Sequence, residues 1–582
     1  MDPVTFEKAA EQIGRRLTPA MIRTALKDWH SSRRGKGVER IVAETENTGR
    51  LLRTRVDDGD LASFLLDVAG LDVLSIQSLR YCLALHASPG ELDALHDFPG
   101  AARARGVTPE SLARCVSERK WHPGKRWARH FVDVLGFPPE LSGLPGSPKN
   151  PDFEDVQPHV KLPELEDFQT DLRNQVLDLL SSPPGQNRAV LTLPTGAGKT
   201  RTTVEALIDW WLRDREGDFI VWIAQSEELC EQAVQAFREV WIDRGDRGVR
   251  DTMRVYRFWG AGRIIPDESG ADGVIVATID KLDETLREGS PRRGELLRIV
   301  PGVRVIVVDE AHRAEAPSYR KVLEDFNVKF ASQGRSAVAV LGLTATPLRS
   351  QQRETIQLAR RFYNRLLRPQ NLPADPEELV SALRSRQVLS YPTHRLLPTG
   401  RPICLTQKQE EYLQSWNEFP PELLTQLGEE RNRNRLLLEC VSALDPSWPI
   451  LFFGCTVQHA EAMAVLLRRR GISAAVITAD TREATRRQLV QAFKAGEIRV
   501  LCNYGVLTTG FDAPKVRAVV VSRPTTSRVL YDQMIGRGMR GARFGGTQDC
   551  LVVDVDDNLI HFGGGRLATA ATQYDEYWSN RS

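Results

Sequence analysis

The stretch AVLTLPTGAGKTRTTVEALIDWWL (Ala189 to Leu212) leaves a folding chain few choices. An apolar run, a loop with proline and two glycines, and an amphipathic run follow one another directly. That order predicts a buried strand, a tight turn and a helix. Glycines let backbone N–H groups approach an anion, and the helix N-terminus favours negative charge. In such a loop Thr195, Gly196, Ala197 and Gly198 would cradle the phosphates of a nucleoside triphosphate. Lys199 would reach its β- and γ-phosphates, and Thr200 would ligate Mg²⁺. A glycine-rich turn beside a chance lysine is the plain alternative, and the strand before and helix after speak against it.

The texture of the chain divides it. Residues 1–140 show apolar residues at helical spacing and predict a separate, mostly helical N-terminal domain. Thr108-Pro109 reads as a helix cap with proline in the first turn. Residues 141–159, rich in Pro, Gly, Ser and Asp, read as a linker. From 160 to 350, short apolar runs alternate with amphipathic segments, the pattern of an α/β domain with a buried parallel sheet. Residues 351–445 are more polar and read as a helical connecting segment. A second α/β series occupies 446–582, with PILFFG, AAVIT, RVLCN, AVVVS and CLVVDV as its strands. The fold class expected is therefore α/β, with two tandem α/β domains behind a helical one.

A second chemical element stands at the end of VRVIVV. Asp309 there can hold Mg²⁺ through water, and Glu310 can orient and deprotonate an attacking water. LPTGAGKT, VVDEAH (Val307 to His312), LTATP (Leu343 to Pro347), TTGFDAP (Thr508 to Pro514) and QMIGRGMR (Gln533 to Arg540) occur in that order. This series resembles the motif set of superfamily 2 helicases and translocases. The texture is closest to the branch holding XPB-type and RadD-type DNA repair proteins and the motor subunits of restriction enzymes. The resemblance covers about residues 160 to 560.

The resemblance implies two RecA-like domains, ATP as substrate and a set of roles. Gln169 would read adenine, although Glu166 stands where the family often has arginine. Thr344 and Thr346 would couple the ATP site, with His312, to nucleic acid. Gly510 and Asp512 would touch the nucleotide across the cleft. Gln533, Arg537 and Arg540 would come from the second domain, the arginines stabilising the transferring phosphoryl group. If this last motif is helical, Gln533 and Arg537 share a face.

Gln225, Ser226, Thr278, Thr456 and Thr508 lie at the ends of predicted strands. Such ends face the crevice where open α/β sheets bind ligands, so these residues either grip nucleic-acid phosphates or cap the helices that follow. In the N-terminal domain, RCVSERKWHPGKRWARH (Arg114 to His130) sets cations around two tryptophans. It reads either as a nucleic-acid surface or as a helix that buries its rings and turns its cations outward.

The net charge is only +2, so a nucleic-acid partner would have to meet a local groove rather than a basic chain. None of the eight cysteines forms a CxxC pair, which argues against a zinc ribbon and for free thiols in a reducing compartment. No signal-peptide core or membrane-length apolar run is present, so a cytoplasmic protein of bacterial type is expected. The function expected is an ATP-driven DNA helicase or translocase in repair, restriction or phage defence. The alternative is an ATP-switched DNA sensor that recruits a partner nuclease through the N-terminal domain without processive unwinding.

Overall fold

The computed structural model describes residues 3–31, 33–46, 58–99, 108–143, 153–156, 162–212, 218–244, 252–260, 262–263, 272–311, 317–331, 338–345, 352–400, 402–416, 418–479, 481, 483–505 and 515–571. Two RecA-like α/β units and a helical N-terminal domain account for them.

The first sheet has strands β1 (Phe153–Val156), β2 (Arg188–Thr192), β3 (Phe219–Ala224), β4 (Met253–Phe258), β5 (Gly273–Thr278), β6 (Val303–Val308), β7 (Ala339–Thr344) and β8 (Leu366–Leu367), in the order β1-β4-β5-β3-β6-β7-β2-β8. All neighbours pair in parallel except β1, which runs antiparallel to β4. The continuous apolar runs are explained by burial on both faces. On β3, Ile220, Trp222 and Ala224 enter one core, while Phe219, Val221 and Ile223 enter the core on the other side.

The second sheet comprises β9 (Tyr391–Pro398), β11 (Ile450–Phe453), β12 (Ala474–Ile477), β13 (Val500–Asn503), β14 (Ala518–Val521) and β15 (Asp549–Asp556). Its order is β12-β13-β11-β14-β15-β9, parallel throughout. A small ladder pairs β10 (Ile403–Cys404) with β16 (Leu559–Ile560).

Two expected boundaries need correction. Residues 351–445 do not form a helical connector alone. β8 extends the first sheet, and Leu379, Leu383, Val388 and Leu389 join the first unit's core. β9 then forms an edge of the second sheet, so the chain crosses between units near Leu389–Tyr391. The signal was weak because β8 is two residues long and β9, YPTHRLLP, lies half-exposed at an edge where prolines are tolerated. Likewise, part of the expected 141–159 linker is β1, an acidic edge strand.

The N-terminal helices, from Pro3–Arg16 to Arg126–Val134, enclose their own core around Leu65, Leu79, Leu83 and Phe131. The cap at Thr108 forms as expected, its side chain accepting from the Ser111 N–H with Pro109 in the first turn. This domain sits on the second α/β unit rather than on the first, which follows it in sequence. Val38, Ile41 and Val42 of helix Arg33–Glu46 share a core with Leu437, Val441 and Met463. Arg435 Nε donates to Thr45 O (2.8 Å), Arg468 Nη2 donates to Asp67 O (2.8 Å), and Arg40 pairs with Glu429.

Placing a charge in this seam leaves it without compensation. Ile41→Asp is expected to release the N-terminal domain. Hydrogen exchange should then rise along helix Val457–Arg469 while the first sheet keeps its protection; unchanged exchange there would refute the docking.

Candidate functional site

Because the central strands are parallel, the C-terminal ends of β2, β3, β5, β6 and β7 open on one edge of the first sheet. That edge is where open α/β sheets bind ligands. The loop after β2 turns through Gly196 (φ 89°) and Gly198 (φ 88°), a left-handed conformation that favours glycine. Gly198 caps helix Lys199–Trp211. Lys199 Nζ donates to Leu193 O across the loop (2.9 Å).

Asp309 and Glu310 follow β6 on the same edge. The Glu310 N–H donates to its neighbour's carboxylate, Asp309 Oδ1 (3.0 Å). Glu310 has φ 51°, which for a residue with a side chain costs on the order of 1–3 kcal/mol and is characteristic of functional turns. Desolvation, followed by the neighbouring Glu310 charge, pushes the Asp309 carboxyl up to about 7, while Lys199 and Arg537 pull it down. Desolvation also lowers Lys199, opposed by the charges of Glu310 and Asp309 and reinforced by Arg537. A half-buried carboxylate in this state, with the Thr200 hydroxyl on the adjoining helix, is a donor set that suits a hard divalent cation.

Arg537 belongs to the second unit, so one electrostatic site draws on both sheets. The contact between the units is close. A Cβ on Gly536 would lie 3.0 Å from Thr195 Cβ and Cγ2, and one on Gly196 would lie 3.8 Å from Arg540 Cα. Helix Arg528–Ile535 carries Gln533 and stops before Gly536, so Arg537 sits in the turn that follows rather than on the helix. Arg540 continues as an isolated antiparallel bridge to Leu389.

Sequence reasoning missed what holds this turn. The crossing segment is hydrogen-bonded along it: Ser390 N donates to Met539 O (3.0 Å) and Gly541 N to Val388 O (2.9 Å). Ser390 Oγ lies 2.7 Å from Arg540 O and 2.6 Å from Thr547 O. Gly541 is required there, since a Cβ would fall 2.1 Å from Gln387 O. Two ion pairs then clamp the start of helix Asp167–Leu180: Arg386 with Asp167 (2.6 Å) and Arg543 with Glu166. The glycine density of GRGMRGARFGG was the available signal.

Other expected residues have different surroundings. Gln169 is buried, with Oε1 accepting from Glu166 N (3.0 Å) and Nε2 donating to Ala197 O (3.2 Å). It therefore braces the phosphate loop. Ser226 and Thr456 cap the helices that follow them, accepting from the Leu229 and His459 N–H groups. Thr278 is buried at a helix start without a side-chain cap bond, and Gln225 is exposed. Thr344 is buried at the end of β7, in register with Thr192 beside the phosphate loop. His312, Thr346, Thr508, Gly510 and Asp512 lie outside the described residues.

A phosphate loop, a strand-end acidic pair and an arginine from a second RecA-like unit give the layout of the two-domain P-loop fold found in helicases. Residues 162–349 match the family "Type III restriction enzyme, res subunit", and residues 432–542 match "Helicase conserved C-terminal domain". The chain is a member of the superfamily 2 helicases, of the restriction-enzyme-like kind. It is 26% identical over 65% of its length to IRC3 of Saccharomyces cerevisiae, which carries the provisional description of an ATP-dependent helicase, and covers 50% of that protein. A Schizosaccharomyces pombe counterpart, provisionally a mitochondrial ATP-dependent helicase, is 27% identical over 64% of this chain and 55% of its own. The type I restriction enzyme EcoKI endonuclease subunit of Escherichia coli is 25% identical over 61% of this chain and 31% of its own. The chain thus spans about half the length, or less, of these curated relatives.

The state of Asp309 is directly testable. Its raised pKa means that the protonated carboxyl stabilises the fold fully only below the unfolded value near ~3.9, and that this contribution is lost as pH rises towards about 7. Asp309→Asn keeps an acceptor for Glu310 N–H but carries no charge. Without nucleotide or metal, its Tm should gain on the wild type as pH rises through that window. A difference that is constant with pH would contradict the burial of a strained charge.

Proposed function

We propose that this chain is an ATP-hydrolysing motor on DNA, a helicase or translocase whose two RecA-like units close on ATP. The observation that carries this reading is Arg537 of the second unit acting on Lys199 and Asp309 of the first, across the Thr195–Gly536 contact. Hydrolysis that needs both units converts each turnover into relative motion.

In this reading the Gly196–Gly198 loop and Lys199 hold the phosphates, with helix Lys199–Trp211 presenting its N-terminus to them. Thr200 and Asp309 would hold Mg²⁺, which when bound neutralises charge on the phosphate oxygens. Glu310, turned by its left-handed backbone, orients the attacking water and accepts its proton. Arg537 and Arg540 stabilise charge on the transferring phosphoryl group, and Gln533 helps to position it. Thr344, joined to the phosphate loop through the β2–β7 ladder, relays the state of the site to the neighbouring strand end.

DNA is favoured as the track because the matched first-unit family and the EcoKI relative belong to restriction enzymes. The same likeness favours a role in restriction, phage defence or repair, with any cleavage supplied by a partner. Among the described residues no helix is long and apolar enough to cross a membrane.

Glu310→Gln should bind ATP with near wild-type affinity while kcat falls by roughly 10²–10⁴-fold. Turnover at the wild-type rate would remove Glu310 from the mechanism. ATPase rates with single-stranded DNA, duplex DNA and RNA, at fixed salt, test the track. Stimulation by RNA alone would overturn the DNA assignment. DNA stimulation without strand displacement or tracking would favour an ATP-set switch.

A further inference from the structure

The basic, tryptophan-containing segment of the N-terminal domain has no part in the ATP site, and the fold separates its residues into two groups. One group is structural. Trp127 is buried, and Trp121 meets Phe131 edge-on at 5.7 Å. The Arg119 guanidinium lies 4.4 Å over the Trp127 ring and donates to Phe98 O (2.7 Å), and Arg80 covers Trp121 at 5.4 Å. His130 Nε2 sits 2.9 Å from Ala94 O. Both rings are engaged by neighbouring side chains, Trp127 in the core and Trp121 half-buried between Arg80 and Phe131.

The other group is Lys120, His122, Lys125, Arg126 and Arg129, all exposed on the turn before helix Arg126–Val134 and on its first turn. Among the described residues none of these side chains has a hydrogen-bond or ion-pair partner, although exposed acids stand on the same or adjoining elements at Asp93, Asp97, Glu118, Asp133 and Glu140. Folding gains nothing from this placement. Cations in the first turn oppose the helix dipole, and like charges so close repel. The arrangement makes sense for a solvated polyanion that lies across the face.

We propose that this face is a second DNA-binding site, in which Lys120, Lys125, Arg126 and Arg129 contact successive backbone phosphates. It rests on the reading of the chain as a DNA motor. With Trp127 buried and Trp121 half-buried under Arg80, the contact is electrostatic and indifferent to sequence. Its place in the molecule gives it a use. The N-terminal domain is docked along helix Val457–Arg469 of the second RecA-like unit, so the face travels with that unit. DNA held there stays tethered while the cleft between the units opens.

The test uses the full chain with Lys120→Glu, Lys125→Glu, Arg126→Glu and Arg129→Glu combined, beside the same four positions changed to Gln. All four positions are exposed, and unchanged ATPase without DNA verifies the fold. Binding of a labelled duplex, without nucleotide, is followed over a salt series. Both variants should bind at least about tenfold more weakly at low salt, the Glu set more so. Their slopes of log K against log salt should be shallower by about 2–4, as expected for loss of up to four phosphate contacts. Wild-type affinity and slope in both variants would overturn the proposal, and DNA-stimulated ATPase would then still uphold the motor. Weaker DNA binding in the variants, in a protein whose ATPase no DNA stimulates, would keep the site and overturn the motor. Loss of binding to acidic phospholipid vesicles with duplex binding intact would assign the face to a membrane and overturn the proposal.

Discussion

The contact between Thr195 of the phosphate loop and Gly536 of the second unit sets the terms for the rest of the structure. With Asp532 O on the other side it crowds any side chain at 536, and it brings Arg537 into the electrostatic field of Lys199 and Asp309. A phosphate loop alone binds a triphosphate. With an arginine held at the same place by a different sheet, binding depends on how the two sheets sit together. Two carboxylates and a desolvated lysine at one strand edge are costly without a ligand, and that cost makes the edge a site.

The chain secures this contact where it passes from one unit to the other. Residues Gln387 to Tyr391 are both the crossing and the partner to which the arginine-bearing turn is hydrogen-bonded. Backbone bonds fix Met539 to Gly541, and Ser390 Oγ spans two carbonyls of the same loop. Arg543 then reaches the first unit at Glu166, and Arg386, just before the crossing, holds Asp167 beside it, one turn from the glutamine that braces the phosphate loop. Exposed ion pairs of this kind contribute little alone, about 0–1 kcal/mol each. Their effect here is geometric, since they limit how the turn carrying Arg537 can tilt. The N-terminal domain extends the same logic outward, because its seam with helix Val457–Arg469 makes it an appendage of the second unit.

Much of this was legible in the chain. The strands AVLTL, FIVWIA, GVIVAT and VRVIVV are apolar on both faces because the sheet is covered on both sides, and they appear where the runs lie. The cap at Thr108 forms as read. Legibility failed where a local signal has two physical uses. A hydroxyl at a strand end grips a phosphate or caps a helix, and Ser226 and Thr456 do the latter. Edge strands such as β9 lack the burial that writes an apolar run, so they passed as connector.

The sequence by itself determined the chemistry: a triphosphate loop, an acidic pair after a buried strand, and arginines far down the chain. Those depend on residue type and short spacing, which a linear text preserves. Only the tertiary structure decided that Arg537 meets Lys199, that the crossing segment is bonded to the arginine turn, and that the N-terminal domain rides on the unit farther from it in sequence. Each is a contact between residues remote along the chain, selected by the packing of whole faces rather than by any local pattern.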